Sequence, residues 1–563
     1  MNLKKYFILS NLLVITHLSL SQNFSWGSSF GGNGEDVVKA MHVDDAGNSY
    51  ITGYFSDTAN FDPNGTLELT SNGFYDAFIQ KIDSNGNLLW AKSVGGDYFE
   101  HGSAITSDSF GNVYITGNYE TVVNFDPEGA GFNLTSSGLQ DIFILKLDIN
   151  GEFVWAKSIG GTGFEEALSI IYKPGGEIIL SGFFYDPIDI DPGSNNVMLT
   201  STGASDTFLL RLDTNGHYIA SQQYGGTDTD LAIDMAVNAS GDLFITGYFS
   251  GTSDLNPNPI QEDFFTASSD GFAGYVLHLN NAGEFVSAGI THGGDVFSNG
   301  ITVDDFGNAF VTGYFGFTVN FNHDIIGAPI NLTSNSFYNG FVMKINPFGG
   351  VEWAKHLEGN DSVLGYDIEV NSNGDIITAG YYSNTIDLDP SANVFSLTQE
   401  SSNASDAYIS ILDSNGSFLN GFQLGGINFI DANNLGVDAQ DNIYTAAHFE
   451  NTVDINPETA SQTIVSAIEY RDNYIIKLID GSLSIPDNDL LSVKLYPNPA
   501  ENFVVLKGEG LQQGLEYKIF DVKGSLISSG KTKSNNSIDV TSLNSGMYLL
   551  KVAGLTPIKL IIK

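Results

Sequence analysis

The chain has 563 residues with 22 Lys+Arg against 66 Asp+Glu, a formal net charge of −44, and no cysteine. That charge excludes the basic footprint that nucleic-acid binding needs and disfavours docking on an anionic membrane surface. The absence of cysteine excludes disulfides, thiolate catalysis and zinc–thiolate sites. Apolar residues make up 42 %, with 39 Phe, 25 Tyr and 63 Gly, which suits a large core built from short strands and tight turns.

Residues 1–21 read as a secretory leader. "MNLKK" is its basic region, "YFILSNLLVITHLSL" its apolar run, and Ser19–Ser21 offers small residues for cleavage. Cleavage is expected after Ser21, leaving Gln22 at the new terminus. The run is short for a spanning helix, and no other segment reads as one, so no integral membrane segment is expected after cleavage.

From residue 22 to 480 an internal repeat dominates. Marked by the first residue of a "GG" or its equivalent, it recurs at Gly31, Gly95, Gly160, Gly225, Gly293, Glu358 and Gly425, in steps of 64, 65, 65, 68, 65 and 67 residues. Each unit alternates with the period of strands, around turns such as "DSFGN" and "DINGE", where Gly tolerates positive φ. Four antiparallel strands per unit, A to D, follow. Such a unit cannot bury both faces alone, and seven of them stacked radially share a core. The expected fold is all-β: a seven-bladed β-propeller, then a small β-sandwich. The seventh unit ends at "DNYIIKLID" without a strand D, and "FSWGSSFGG" (Phe24–Gly32) supplies one. It is expected to pair with Tyr474–Ile479 and close the ring.

Residues 481–491 read as a linker. Residues 492–563 leave the repeat and hold about seven alternating strands, as in a small β-sandwich. Charge also changes sign: residues 22–490 carry −50, residues 491–563 +4. Two bodies with separate tasks are implied.

The repeats resemble the bacterial beta-propeller repeat (SBBP) family, through residues 44–55 and 141–161 above all. That family implies an architecture and little about activity. The tail resembles the C-terminal sorting domain of the type IX secretion system of Bacteroidota, through "LYPNPA" (Leu495–Ala500), "IFDVKGSLI" (Ile519–Ile527) and "SLNSGMYLLKV" (Ser542–Val552). This resemblance implies engagement with the type IX machinery and a secreted or outer-membrane surface location. It also implies removal of the domain, with the cargo released or attached to surface lipopolysaccharide.

Each unit carries about 20 residues between strands B and C, with one shared motif: Asn60-Phe-Asp62, Asn124-Phe-Asp126, Asp189-Ile-Asp191, Asp254-Leu-Asn256, Asn320-Phe-Asn322, Asp387-Leu-Asp389 and Asp454-Ile-Asn456. In extended chain the two Asx side chains face one way and the apolar residue the other. Two readings follow. The Asx oxygens satisfy turn amides around an apolar plug, or oxygen pairs bind Ca²⁺, with Asp62, Asp126, Asp189, Asp191, Asp387 and Asp389 as candidates. No other cofactor is expected.

The "GYF" aromatics and Trp26, Trp90, Trp155 and Trp353 read as blade packing. In a four-stranded blade the B–C and D–A connections share one face, so a glycan or protein ligand is expected on that long-loop face. The nine histidines do not recur at one repeat position, and neither G-x-S-x-G nor H-E-x-x-H occurs. The expectation is a non-enzymatic binding or scaffold protein. The alternative is a polysaccharide hydrolase or lyase using a carboxylate pair.

Overall fold

The computed structural model describes residues 22–480 and 494–563, apart from residues 259, 269–270, 323–327, 402–403, 457–462 and 466–469 in the repeats and residues 501, 508–513, 522–525, 534 and 553–557 in the tail. The leader with Ser21, and the linker, lie outside the described residues. The chain divides into two compact units after Asp480.

The repeats fold as antiparallel β-sheets. In the second unit His101–Ser107, Val113–Tyr119, Asp141–Leu147 and Phe153–Gly161 pair in that order as strands A to D. Turn chemistry fixes the register. Asp108 Oδ1 accepts the amides of Phe110 and Asn112, and Asp148 Oδ1 those of Asn150 and Glu152. Gly111 and Gly151 complete these turns at φ +79° and +80°, conformations a side chain would strain. In this unit strands B and C, Val113–Tyr119 and Asp141–Leu147, are buried along their whole length. Their apolar residues form cores shared between successive units: Ile142 and Ile144 of the second pack with Ile178, Leu180 and Phe208 of the third. A single unit could not bury these faces.

At the end of the repeats, Arg471–Asp480 pairs on one side with Ile443–Glu450. On the other it pairs with the N-terminal strand Gln22–Gly32, Phe30 opposite Asn473 and Gln22 opposite Asp480.

The B–C segments are not free loops. Each begins with a short β-hairpin, which in six units pairs with the preceding unit; in five of these it extends that unit's sheet, and in the fifth unit it joins His292–Gly293 in a separate three-stranded sheet. Gly31 pairs with Asn60, Gly160 with Asp189, Gly225 with Asp254, His292 with Asn320, Glu358 with Asp387 and Gly425 with Asp454. This register makes His292, rather than Gly293, the equivalent of the other markers. The hairpin of the second unit, Val122–Asn124 with Asn133–Thr135, forms a two-stranded sheet. The second glycine of the "GG" admits the hairpin. A Cβ at Gly32, Gly161, Gly226 or Gly426 would fall 1.9–2.3 Å from a hairpin carbonyl oxygen. The length that sets these repeats apart is therefore a clasp between neighbours.

Three of the four tryptophans make a second clasp on the opposite edge. The indole N–H of Trp26 donates to Ser84 O at 3.1 Å, that of Trp90 to Ile149 O at 3.1 Å and that of Trp155 to Thr214 O at 3.2 Å, each on a C–D turn of the next unit. Blade packing was legible in the sequence; this hydrogen bond across units was not.

The tail has two sheets. Lys494–Tyr496, Phe503–Lys507 and Ser537–Asp539 form one, and Leu526–Lys531, Glu516–Asp521, Gly546–Val552 and Ile558–Ile562 the other. Val504, Leu506, Ile519, Ile538, Leu550 and Leu560 make its core.

Candidate ligand-binding face

The Asx motif acts alike in every unit. The first Asx oxygen accepts the amide of the second, at 3.0–3.3 Å in all seven copies. In six copies it also accepts an amide from the returning strand of the hairpin, at 2.8–3.1 Å. The residue between, Phe61, Phe125, Ile190, Leu255, Phe321, Leu388 or Ile455, is buried in the core. Two amides held by one side chain tie the hairpin shut, and the apolar plug roots it.

The Ca²⁺ candidates take part in this turn chemistry. Asp62 Oδ1 accepts from Asn64 N, Asp191 Oδ1 from Gly193 N and Asp389 Oδ1 from Ser391 N. Asp189 and Asp387 each hold the two amides of the clamp. Asp126 donates its backbone amide to Asn124 Oδ1. Apart from the in-unit pairs Asp189/Asp191 and Asp387/Asp389, they stand in separate hairpins. Among the described residues no three His, Asp or Glu side chains group so as to hold a metal.

Both long connections lie together. Parallel bridges Tyr75–Phe99, Ser205–Thr229 and Ser405–Phe429 join the end of a B–C segment to the following D–A link. Aromatic rings gather there. Phe74 stacks on Phe99 with centroids 5.1 Å apart, Tyr54 meets Tyr75 at 4.9 Å, and Phe297 lies between Tyr248 at 4.9 Å and Tyr314 at 4.8 Å. Tyr248 of the fourth unit thus packs on Phe297 of the fifth, Tyr54 and Tyr314 meet rings of their own units, and Phe74, Tyr185, Phe317 and Phe337 remain exposed.

Sequence reasoning missed two sets of carboxylates. One lines a cavity of about 510 Å³ bounded by strand A residues of the units, from Lys39 to Leu435. Asp234 and Asp367 stand where other units carry Ala40, Ala104, Ser169, Gly300 and Asn434. Glu369 follows two residues on. Burial pushes Asp234 up to about 6; burial and then the charge of Asp234 push Asp367 to about 7, and burial followed by the charges of Asp367 and Asp234 pushes Glu369 to about 8. Asp234 also accepts the amides of Met235 and Ile301, and Asp367 those of Ile368 and Leu435, so both brace the next strand A. Comparing repeat positions, not spacings, would have revealed them.

The second set sits in the seams. Asp36, Glu100, Glu165 and Asp230 stand at the start of strand A of the first four units or, for Glu100, one residue before it, are buried, and accept the amide of Gly32, Gly96, Gly161 and Gly226 at 2.7–3.0 Å. Each faces a carboxylate that begins strand C of the unit before: Asp472, Asp76, Asp141 or Asp206. Burial first, and that neighbour as well, raises Asp36 to about 8 and the other three to about 7. Val296 and Val363 replace the strand A acid in the fifth and sixth units.

Residues 494–563 match the model of the secretion system C-terminal sorting domain, and residues 288–314 that of the beta-propeller repeat. The chain thus carries a beta-propeller repeat and a C-terminal sorting domain. The sorting domain marks it for the cell surface or exterior and implies engagement with the type IX secretion machinery. Among the described residues no helix is long and apolar enough to cross a membrane. The chain is 23 % identical over 434 residues to an uncharacterized WD repeat-containing protein of Acanthamoeba polyphaga mimivirus; the match covers 66 % of this chain and 31 % of that protein, so the chain spans less than a third of this relative. Solved structures similar to it include Sqt1 of Chaetomium thermophilum (9 % identity, 82 % of this chain and all of that one, TM-score 0.35). Another is PorZ of Porphyromonas gingivalis, a surface component of the type-IX secretion system (12 % identity, 93 % and 81 % covered, TM-score 0.24).

Proposed function

We propose that the repeats form a seven-bladed ring closed by Gln22–Gly32, and that this ring is an exported scaffold binding an extracellular ligand, glycan or protein, on its long-loop face. The ring is supported by the contact of the last strand A, Asn434–Val437, with the first, Asp36–Val43. The observation that carries the binding reading is the gathering of exposed aromatic rings between the B–C and D–A connections, because a flat ring offers contact area at little entropic cost. Isolated exposed rings on the other face, such as Phe110, Phe306 and Phe348, sit singly at turn tips. A glycan array probed with the exported protein tests this reading. Retention on polysaccharide spots, lost on substituting long-loop aromatics and kept on substituting Phe110 or Phe306, is expected. Loss confined to the short-turn variants would refute it.

A second reading, hydrolase or lyase, draws on Asp367 and Glu369, whose raised affinity for protons is a property of general acids. It requires release of reducing sugar, or of an unsaturated product, that Glu369→Gln abolishes.

A further inference from the structure

One backbone position recurs in the B–C segments. Asp57, Thr121, Gly251, Phe317, Asn384 and Asn451 have φ between 56° and 67°. The carbonyl of each of the first five accepts an amide that closes the hairpin, from Ser71, Ser136, Ala267, Ser334 and Gln399. The turn therefore requires the left-handed region, which Gly, Asn and Asp tolerate and which β-branched Thr121 and aromatic Phe317 occupy under strain. Only the fifth unit places an aromatic residue there, and it gains no burial by doing so: Phe317 is 72 % exposed. Strain held at an exposed residue without a packing return points to a function for its side chain.

Its surroundings agree. Phe317 and Phe337, which is 82 % exposed, line a cleft of about 580 Å³ with Asn335, Ser336, Asn360 and Asp361. Ser336 Oγ donates to Asp361 O at 2.7 Å, and Asn360 Nδ2 to Thr385 Oγ1 at 2.6 Å. These contacts use part of the hydrogen-bonding capacity of a hydroxyl and an amide. Flat apolar rings beside amide, hydroxyl and carboxylate groups match a sugar, whose ring faces are apolar and whose rim is hydroxyl. The −50 charge of the repeats disfavours a polyanion.

We propose that this cleft of the fifth unit is a binding subsite for a neutral oligosaccharide, with Phe317 and Phe337 as its stacking platform. The proposal rests on the binding reading above and gives it a place and a ligand class.

Titration calorimetry of the exported protein with cello-, chito-, manno- and laminari-hexaose, and with oligogalacturonate as the acidic probe, tests it. Binding of at least one neutral hexaose is expected, weakened about tenfold or more by Phe337→Ala and by Phe317→Asn. Phe317→Asn installs the residue two other units use, so it should also raise Tm by about 1–2 °C. Binding unchanged in both variants would overturn the subsite and leave the glycan reading standing. No binding of any probe by the wild type would overturn the glycan reading and the subsite with it. Preference for the acidic probe would overturn the ligand class, and a lower Tm for Phe317→Asn would overturn the argument from strain.

Discussion

Asn60 carries no charge and fills no core position, yet it determines the shape of its hairpin. Its side-chain oxygen holds the amides of Asp62 and Leu67, at 3.1 Å each. Replacing it by alanine leaves two amides without that acceptor, at a cost of about 1–3 kcal/mol. Asn60→Asp should be close to neutral, because other units use Asp there; thermal melting of both variants checks this.

The seam carboxylates make a sharper prediction. Asp36, Glu100, Glu165 and Asp230 bind protons more tightly folded than unfolded, so the stability they contribute is full below their unfolded values and is lost as pH rises through 7 to 8. Buried His448 and half-buried His42, His278 and His356 are pushed down by loss of solvation and act oppositely, but only below about 6.5. Tm should therefore fall from pH 6.5 to 8.5. Glu165→Gln keeps an acceptor for Gly161 N and removes the charge, so it should melt higher than wild type at pH 8.5 and nearly level with it at pH 6.5. Equal melting at both pH values would reject this account.

At the scale of elements, the sequence carried strands A to D and their turns plainly, because Asx-Gly turns and period-two alternation are local signals. The hairpin clasp was hidden, because a three-residue strand has little periodicity and its partner lies about 30 residues away, in the D strand of another unit. The Asx motif was legible as a motif, and its partners, the amides of Asp62 and Leu67, were not. Likewise "FSWGSSFGG" could be matched to strand D by its residues, while the bulge between Phe24 and Trp26 in its pairing could not. That strand buries Phe30, fills the edge of Arg471–Asp480 and continues through Gly31–Gly32 to the hairpin of the first unit. Deleting Asn23–Phe30 removes all three and exposes an unpaired edge. The expected loss of Tm is on the order of 10 °C; a deletion variant that melts like wild type would show that the strand is dispensable.

For the whole molecule, the charge has a structural origin. Carboxylates such as Asp44, Asp83, Asp108, Asp148, Asp213, Asp304, Asp413 and Asp438 each accept two amides of a tight turn. Burial opposes ionisation at Asp83, Asp148 and Asp213, but the amide hydrogen bonds prevail and hold them below the ordinary carboxylate range. A repeat built on such turns accumulates negative charge whatever it binds. The tail uses few of these turns and carries +4. Its core, Val504 to Ile562, is its own, and the chain divides at Asp480 into two compact bodies. Stability and export should then separate. Ending the chain at Asp480 should leave the melting of the repeats within about 1 °C of the full chain, because no repeat core loses a residue. The same truncation should move the protein from the cell surface or medium to the periplasm, since the sorting domain is the address for outer-membrane passage. Fractionation with antibody to the repeats reads the second effect, and melting of the purified truncated protein the first. Continued appearance in the medium would place the export signal in the repeats. A large fall in Tm would mean that the two bodies stabilise one another.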